Sequence, residues 1–414
     1  MNQHVSRRQA LINQLPDNSL SVLFAGDLVK RSADATYPFS VNRNFFYLTG
    51  LDEDSLVLMI IKLSNQVRTI LFIKDVDPVM EKWVGKSIRA EAATAISGIT
   101  AVQTLSSFES VLARSLDRNP ITTLGIDSER ESLKGRPMEG AGFAQRMMNL
   151  YPGLGLLNLK PMISALRTIK SADEIEALRQ AITITHEGLL ALMKGLRPGR
   201  MEYEIVADFD HVLGLNHSTN SFDTIAASGA NACILHYVEN DQALNDNELV
   251  LLDLGATKGH YCADISRTFP ISGRFSPRQA TLYNIVLEAQ QAVFDAIKPG
   301  VTLLELNTIV KNVYAKRCVE EGVIASADQV DTVYYHSVSH FLGLDTHDVG
   351  QLEGMKLVPG MVITVEPGLY VANEGVGIRI EDDVLVTETG MENLSVAIPK
   401  TIVEIESILN QPKG

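Results

Sequence analysis

The chain has 414 residues, 45% of them hydrophobic and 21% charged, the balance of an ordinary soluble globular protein. That length exceeds what one compact core accommodates and implies two domains. A formal net charge of −14 leaves no basic surplus to meet phosphates, which excludes a nucleic-acid binder and argues against an anionic membrane surface.

Along the chain, the first residues (Met1 to Arg8) lead into a mixed, helix-like segment with no apolar signal-peptide core. Apolar runs such as Leu56 to Ile61 are far short of a membrane span. The three cysteines, Cys233, Cys262 and Cys318, are odd in number and widely spaced, which fits a reducing compartment, and a cytoplasmic location is expected. Short β-rich runs at Ser21–Ala25, Ser55–Ile61, Thr69–Ile73 and Thr122–Ile126 give the first third an α/β character. Ser171 and Glu174 then form the signature of a helix capping box, predicting a long helix to about Met193. The domain boundary is expected just before it, giving domains 1–165 and 166–414.

The second domain contains a faint internal repeat. Leu196-Arg197-Pro198-Gly199 precedes Glu204-Ile205, and Ile297-Lys298-Pro299-Gly300 precedes Glu305-Leu306. Each copy leads to an apolar strand ending in a carboxylate, Asp253 in one and Glu366 in the other. Each has a histidine upstream, His236 or His347, and a second carboxylate downstream, Asp264 or Glu381. The order implies two similar half-domains with a site along their seam.

Asp253 and Asp264 flank one turn, and Glu366 and Glu381 flank another around Asn373-Glu374-Gly375, so each pair is brought together by a hairpin. Taken singly, either aspartate reads as a turn cap, Glu366 as a solvated strand end and Glu381 as part of a charged face with Asp382 and Asp383. As a set they read differently, because a carboxylate that ends a central strand is buried and needs a partner. Four converging carboxylates raise one another's pKa values, and two divalent cations cancel their charge. With His340 as a single imidazole, such oxygen-rich ligation favours Mn²⁺, Co²⁺ or Zn²⁺. Two metals of this kind activate water and polarise a carbonyl, which suits peptide hydrolysis. His236 and His347 are candidates to donate to a substrate carbonyl or oxyanion. His336, four residues before His340, is a candidate for substrate contact. Arg379, two residues before Glu381 on a strand, either braces that ligand carboxylate or forms an ordinary cross-strand ion pair.

The segments Asp253–Ala256, Asp264–Phe269, His336–Asp348, Gly360–Tyr370 and Gly377–Asp383 resemble the proline-specific metallopeptidases related to methionine aminopeptidase. Arg31–Phe39 and Asn42–Gly50 look like the first domain of aminopeptidase P. The resemblance implies an α/β N-terminal domain followed by an α+β "pita-bread" catalytic domain with an internal pseudo-twofold repeat. It implies that Asp253 chelates one metal, that Asp264 and Glu381 bridge two, and that His340 and Glu366 complete the other. It makes Glu366 the proton shuttle, His236 and His347 the groups that hold the carbonyl and the tetrahedral intermediate, and Arg379 a support for Glu381. His336 and Tyr370 match positions near the proline pocket. The activity implied is cleavage between an N-terminal residue and a penultimate proline, by a Mn²⁺ enzyme that forms a homodimer or homotetramer. An Xaa-Pro dipeptidase shares the layout and is the alternative reading. A metal-free binding module on the same fold is a third, against which the intact ligand set counts.

Overall fold

The β-rich runs of the first third pair into one six-stranded sheet in the computed structural model, which describes residues 2–128, 139–350 and 354–411. Its strands are β1 (Ser19–Phe24), β2 (Val57–Leu63), β3 (Gln66–Ile73), β4 (Ala101–Thr104), β5 (Thr123–Ile126) and β6 (Gly155–Asn158), in the order β4-β3-β2-β1-β5-β6. β1 runs antiparallel to β2 and parallel to β5. It is buried along almost its whole length, Ser19 and Ser21 included. Leu20, Val22, Met59, Phe72, Leu124 and Ile126 form the core of this unit, closed by Phe108 and Phe143 from the helices Phe108–Arg118 and Glu139–Leu150.

The chain divides into two compact units, Met1–Arg167 and Thr168–Gly414. The second opens on the expected capping box. The Ser171 backbone N–H and hydroxyl both donate to Glu174, each at 2.9 Å, and the helix runs Ala172–Gly195. The helix Glu202–Leu215 follows, then a three-stranded antiparallel sheet of β7 (Ile225–Ser228), β8 (Leu249–Leu254) and β9 (Ile265–Pro270). The same plan recurs in the second half. The helices Pro277–Ala296 and Leu303–Glu320 precede β10 (Val362–Val365), the hairpin of β11 (Gly368–Val371) and β12 (Val376–Arg379), and then β13 (Asp382–Val386) and β14 (Met391–Asn393).

The two Pro-Gly turns repeat bond for bond. The Gly199 N–H donates to Leu244 O and the Gly300 N–H to Leu357 O; Leu244 N–H returns to Arg200 O and Leu357 N–H to Val301 O. Both glycines hold a positive φ, +85° and +97°, that a side chain would strain. The architecture is therefore the expected α/β unit followed in the chain by a pseudo-twofold α+β domain. Among the described residues, no helix is long and apolar enough to cross a membrane.

One close approach lets the first hairpin bring its carboxylates together. A Cβ on Gly255 would lie 1.9 Å from Ala263 O and 2.4 Å from Ser221 Oγ, so the chain after Asp253 packs directly on the chain before Asp264. Gly255→Ala is expected to destabilise the fold by roughly 1–3 kcal/mol through overpacking, read as a lower denaturant midpoint. An unchanged midpoint would refute the tight approach.

Candidate metal centre

Strand register decides where the charges fall. β10 pairs with β13 through Val365↔Asp382, and β11 pairs with β12 through Gly368↔Arg379. The register is the same on both sides of the gap, so Glu366 faces Glu381 and Pro367 faces Ile380. In the first half Asp253 lies on β8 opposite Ser266, with Asp264 just ahead of β9. Like charges directly opposite each other destabilise a sheet unless something neutralises them.

Every candidate residue except Tyr370 lines one cavity of about 360 Å³. Asp264, His340 and Glu381 each offer a ligand atom within 4.8 Å of the others. His340 Nε2 stands 3.3 Å from Asp264 Oδ2 and 3.5 Å from Glu366 Oε1. Its other nitrogen, Nδ1, donates to Phe341 O at 3.1 Å, which turns Nε2 toward the carboxylates. Asp253 stands at the edge of this group. Its Oδ2 accepts from Arg379 Nη2 at 2.6 Å, and its Oδ1 is buried with no hydrogen-bond partner.

Arg379 braces carboxylates of both halves. It pairs with Asp253 in the opposite half and reaches Glu381 only through Ser266. Arg379 Nε donates to Ser266 Oγ at 2.8 Å, and Ser266 Oγ donates to Glu381 Oε2 at 2.7 Å. Arg379 Nη1 donates to Tyr370 OH at 3.0 Å, and Tyr370 OH lies 2.8 Å from His336 Nε2. One guanidinium thereby spans three groups, which its rigid fork suits.

The electrostatics are those of too much negative charge in too little water. Burial pushes Asp264 up to about 6, with Asp253 adding to the rise. Burial likewise lifts Glu366 to about 7, and holds Glu381 and Asp383 well above the usual carboxylate range. Burial opposes charging of His340, but the Asp264 hydrogen bond and the Glu366 charge outweigh it and raise the imidazole to about 9. A cation beside these oxygens would favour their charged forms. The unpartnered Asp253 Oδ1 and the exposed-to-cavity Nε2 fit hard or borderline divalent ions.

The two outer imidazoles are each held from behind. The His347 ring lies 4.3 Å, centroid to centroid, from that of His340, and burial followed by the His340 charge lowers its pKa. Next to it, Asp348 pairs at 3.1 Å with Lys170, both side chains buried. His236 sits in a loop tied down by Glu202, a fully buried carboxylate that accepts from Ser228 N–H at 2.7 Å, Tyr237 OH at 2.8 Å and Gln242 N–H at 3.0 Å. The sequence reading missed Glu202, Ser266, Lys170 and Asp383, whose Oδ2 accepts from Asp264 N–H at 3.2 Å. The one signal available was that Ser266 and Asp383 stand within two residues of named candidates.

A sequence profile of metallopeptidase family M24 matches residues 176–388, and one of the aminopeptidase P N-terminal domain matches residues 4–124. The chain belongs to metallopeptidase family M24. Its catalytic unit is therefore a pita-bread domain that works with divalent metal ions. It is similar to the Xaa-Pro aminopeptidase of Haemophilus influenzae, 36% identical over 98% of this chain and 96% of that one. The Xaa-Pro aminopeptidase of Escherichia coli is 35% identical over 97% and 96%. A solved Bacillus anthracis structure with a provisional aminopeptidase P assignment superposes with a TM-score of 0.97 at 45% identity, covering 99% of this chain and 98% of that one. Zinc-substituted E. coli aminopeptidase P in complex with product gives a TM-score of 0.90 at 33% identity, covering 98% and 97%.

Proposed function

We propose that this M24 peptidase hydrolyses the bond between an N-terminal residue and a penultimate proline, releasing the N-terminal amino acid, with Mn²⁺ as its metal. The observation that carries the reading is the meeting of Asp264, His340, Glu366 and Glu381 in one cavity with Asp253 and its unpartnered oxygen. The similarity of both units to Xaa-Pro aminopeptidases supplies the substrate class. The odd number and wide spacing of the cysteines support a reducing, cytoplasmic setting, and the family resemblance supports a homodimer or homotetramer.

Asp253, Asp264, His340, Glu366 and Glu381 would hold two divalent ions, whose Lewis acidity lowers the pKa of water and polarises the scissile carbonyl. Glu366, facing the cavity, takes the proton of the attacking water and carries it toward the leaving nitrogen. His236 and His347, one from each half, hold the carbonyl oxygen as negative charge develops on it. Arg379 keeps Asp253 and, through Ser266, Glu381 oriented while its own charge stays buried. His336 walls the space for the proline ring, with Tyr370 bonded to it from outside the cavity lining. A proline nitrogen carries no hydrogen and its ring fixes φ, so an extended substrate-binding register of the ordinary kind fails on it. A site that grips the free amine and shapes a pocket for the ring avoids that failure.

Mn²⁺-loaded protein should cleave Ala-Pro-Ala at the Ala-Pro bond, with or without activity on Ala-Pro, and Asp264→Ala should abolish it. Hydrolysis of the dipeptide alone would make the chain an Xaa-Pro dipeptidase. Silence on both substrates with metal bound would refute the substrate assignment.

A further inference from the structure

Behind the metal centre, on the helix Pro277–Ala296, lies a buried glutamine that the chemistry above does not use. Across the interrupted ladder Ile380 N–H donates to Pro367 O at 3.4 Å. An antiparallel pair of this type normally exchanges two bonds, and the return bond would run from residue 367 N–H to Ile380 O. Pro367 has no N–H to give. The Gln290 side-chain amide fills that place, with Nε2 donating to Ile380 O at 3.1 Å and to Val365 O at 3.2 Å. Its oxygen accepts from Lys400 Nζ at 2.9 Å, and the same ammonium bonds Asp382 Oδ2 at 2.6 Å.

The two carbonyls belong to the residues immediately before Glu366 and Glu381. One amide therefore ties together the two backbone segments that carry opposed carboxylates, at the point where the sheet itself has lost a rung. We propose that Gln290 is a positioning residue of the metal centre: its amide replaces the donor that Pro367 lacks and fixes the spacing of Glu366 and Glu381. Lys400 orients the amide by occupying its oxygen, which leaves the NH₂ group to face both strands. A well-placed support of this kind alters metal affinity by about 10–100-fold when it is removed. The inference rests on the reading of Glu366 and Glu381 as metal ligands.

The test is a double-mutant cycle in the full-length protein, read by Mn²⁺ titration calorimetry and by the electron paramagnetic resonance spectrum of the bound ion. Gln290→Met keeps the volume and removes the donor, and Mn²⁺ binding should weaken by about 10–100-fold. Pro367→Ala returns a backbone N–H to Ile380 O, so in that background the same Gln290→Met exchange should cost about threefold or less. A purely structural role for Gln290 predicts the same loss in both backgrounds, and that result would overturn the proposal. So would wild-type Mn²⁺ affinity in folded Gln290→Met. If that variant does not fold, Lys400→Met, which leaves the amide in place but unoriented, should show a smaller loss that Pro367→Ala again suppresses; an unaltered affinity there counts against the proposal. Failure of the unaltered protein to bind Mn²⁺ would sink the ligand reading and this inference together, whereas binding that ignores Gln290 removes only the latter.

Discussion

Asp264→Ala is expected to lower kcat/KM by on the order of 10³-fold or more, because Lewis-acid stabilisation worth several kcal/mol converts to that factor at about 1.4 kcal/mol per decade. Bound Mn²⁺ should fall with it when measured by elemental analysis. The distinguishing sign is stability. The contact that Asp264 makes through its backbone N–H, to Asp383, survives in alanine. The carboxylate itself is buried in the metal-free protein at a cost that shows in its elevated pKa. At alkaline pH, where the His340 contribution has faded, the metal-free variant should therefore melt no lower than metal-free wild type; at lower pH the lost contact with His340 offsets that gain. An inactive variant that also unfolds early would assign Asp264 a packing role, and one that retains full metal and activity would remove it from the ligand set.

Metal removal should make stability strongly pH-dependent, in a direction the site dictates. Asp264 at about 6 and Glu366 at about 7 sit above the range of about 4 for free carboxyls, and Glu381 and Asp383 lie higher still. A folded state that holds protons the unfolded chain has released loses stability as pH rises through that window. His340 acts in the same direction, since its folded value of about 9 exceeds that of free histidine and its contribution fades as pH climbs toward 9. Protein stripped by chelator should thus melt at a lower temperature at about pH 8 than at about pH 5.5, and Mn²⁺ should restore more stability at the higher pH. Scanning calorimetry at the two pH values, with and without Mn²⁺, reads this directly. A stripped protein whose melting temperature is flat or rises with pH would mean that these carboxylates are already compensated by the protein.

The features legible from sequence were those with a local signature. Asp253 and Glu366 were visible because each ends an apolar run. The paired hairpins were visible because both halves repeat the same order of Pro-Gly turn, strand and carboxylate. The capping box at Ser171 needed only four residues. What escaped were polar residues whose partners lie far away in the chain. Ser266 bonds Glu381 across 115 positions, and Gln290 bonds Ile380 across 90. Inside otherwise apolar segments such residues read as helix or strand filler. Arg379 shows the same limit from the other side. Strand alternation set it beside Glu381, but packing between the two halves gave its strongest contact to Asp253, 126 positions away.

The small network around Tyr370 settles which way its hydrogens point. Ser337 O can only accept, so the His336 nitrogen 2.8 Å from it, Nδ1, carries a proton. Burial and the nearby Arg379 charge push this imidazole down to about 4, so at neutral pH the ring holds no second proton. Nε2 is then a lone pair. Tyr370 OH, already receiving from Arg379, gives its own hydrogen to that lone pair. Both nitrogens of His336 are thus spoken for before any substrate arrives. His336 therefore lines the cavity as an uncharged ring whose hydrogen-bonding groups are already engaged. That uncharged ring stands 3.7 Å from Glu366 Oε2 through Nδ1, beside a carboxylate lifted to about 7.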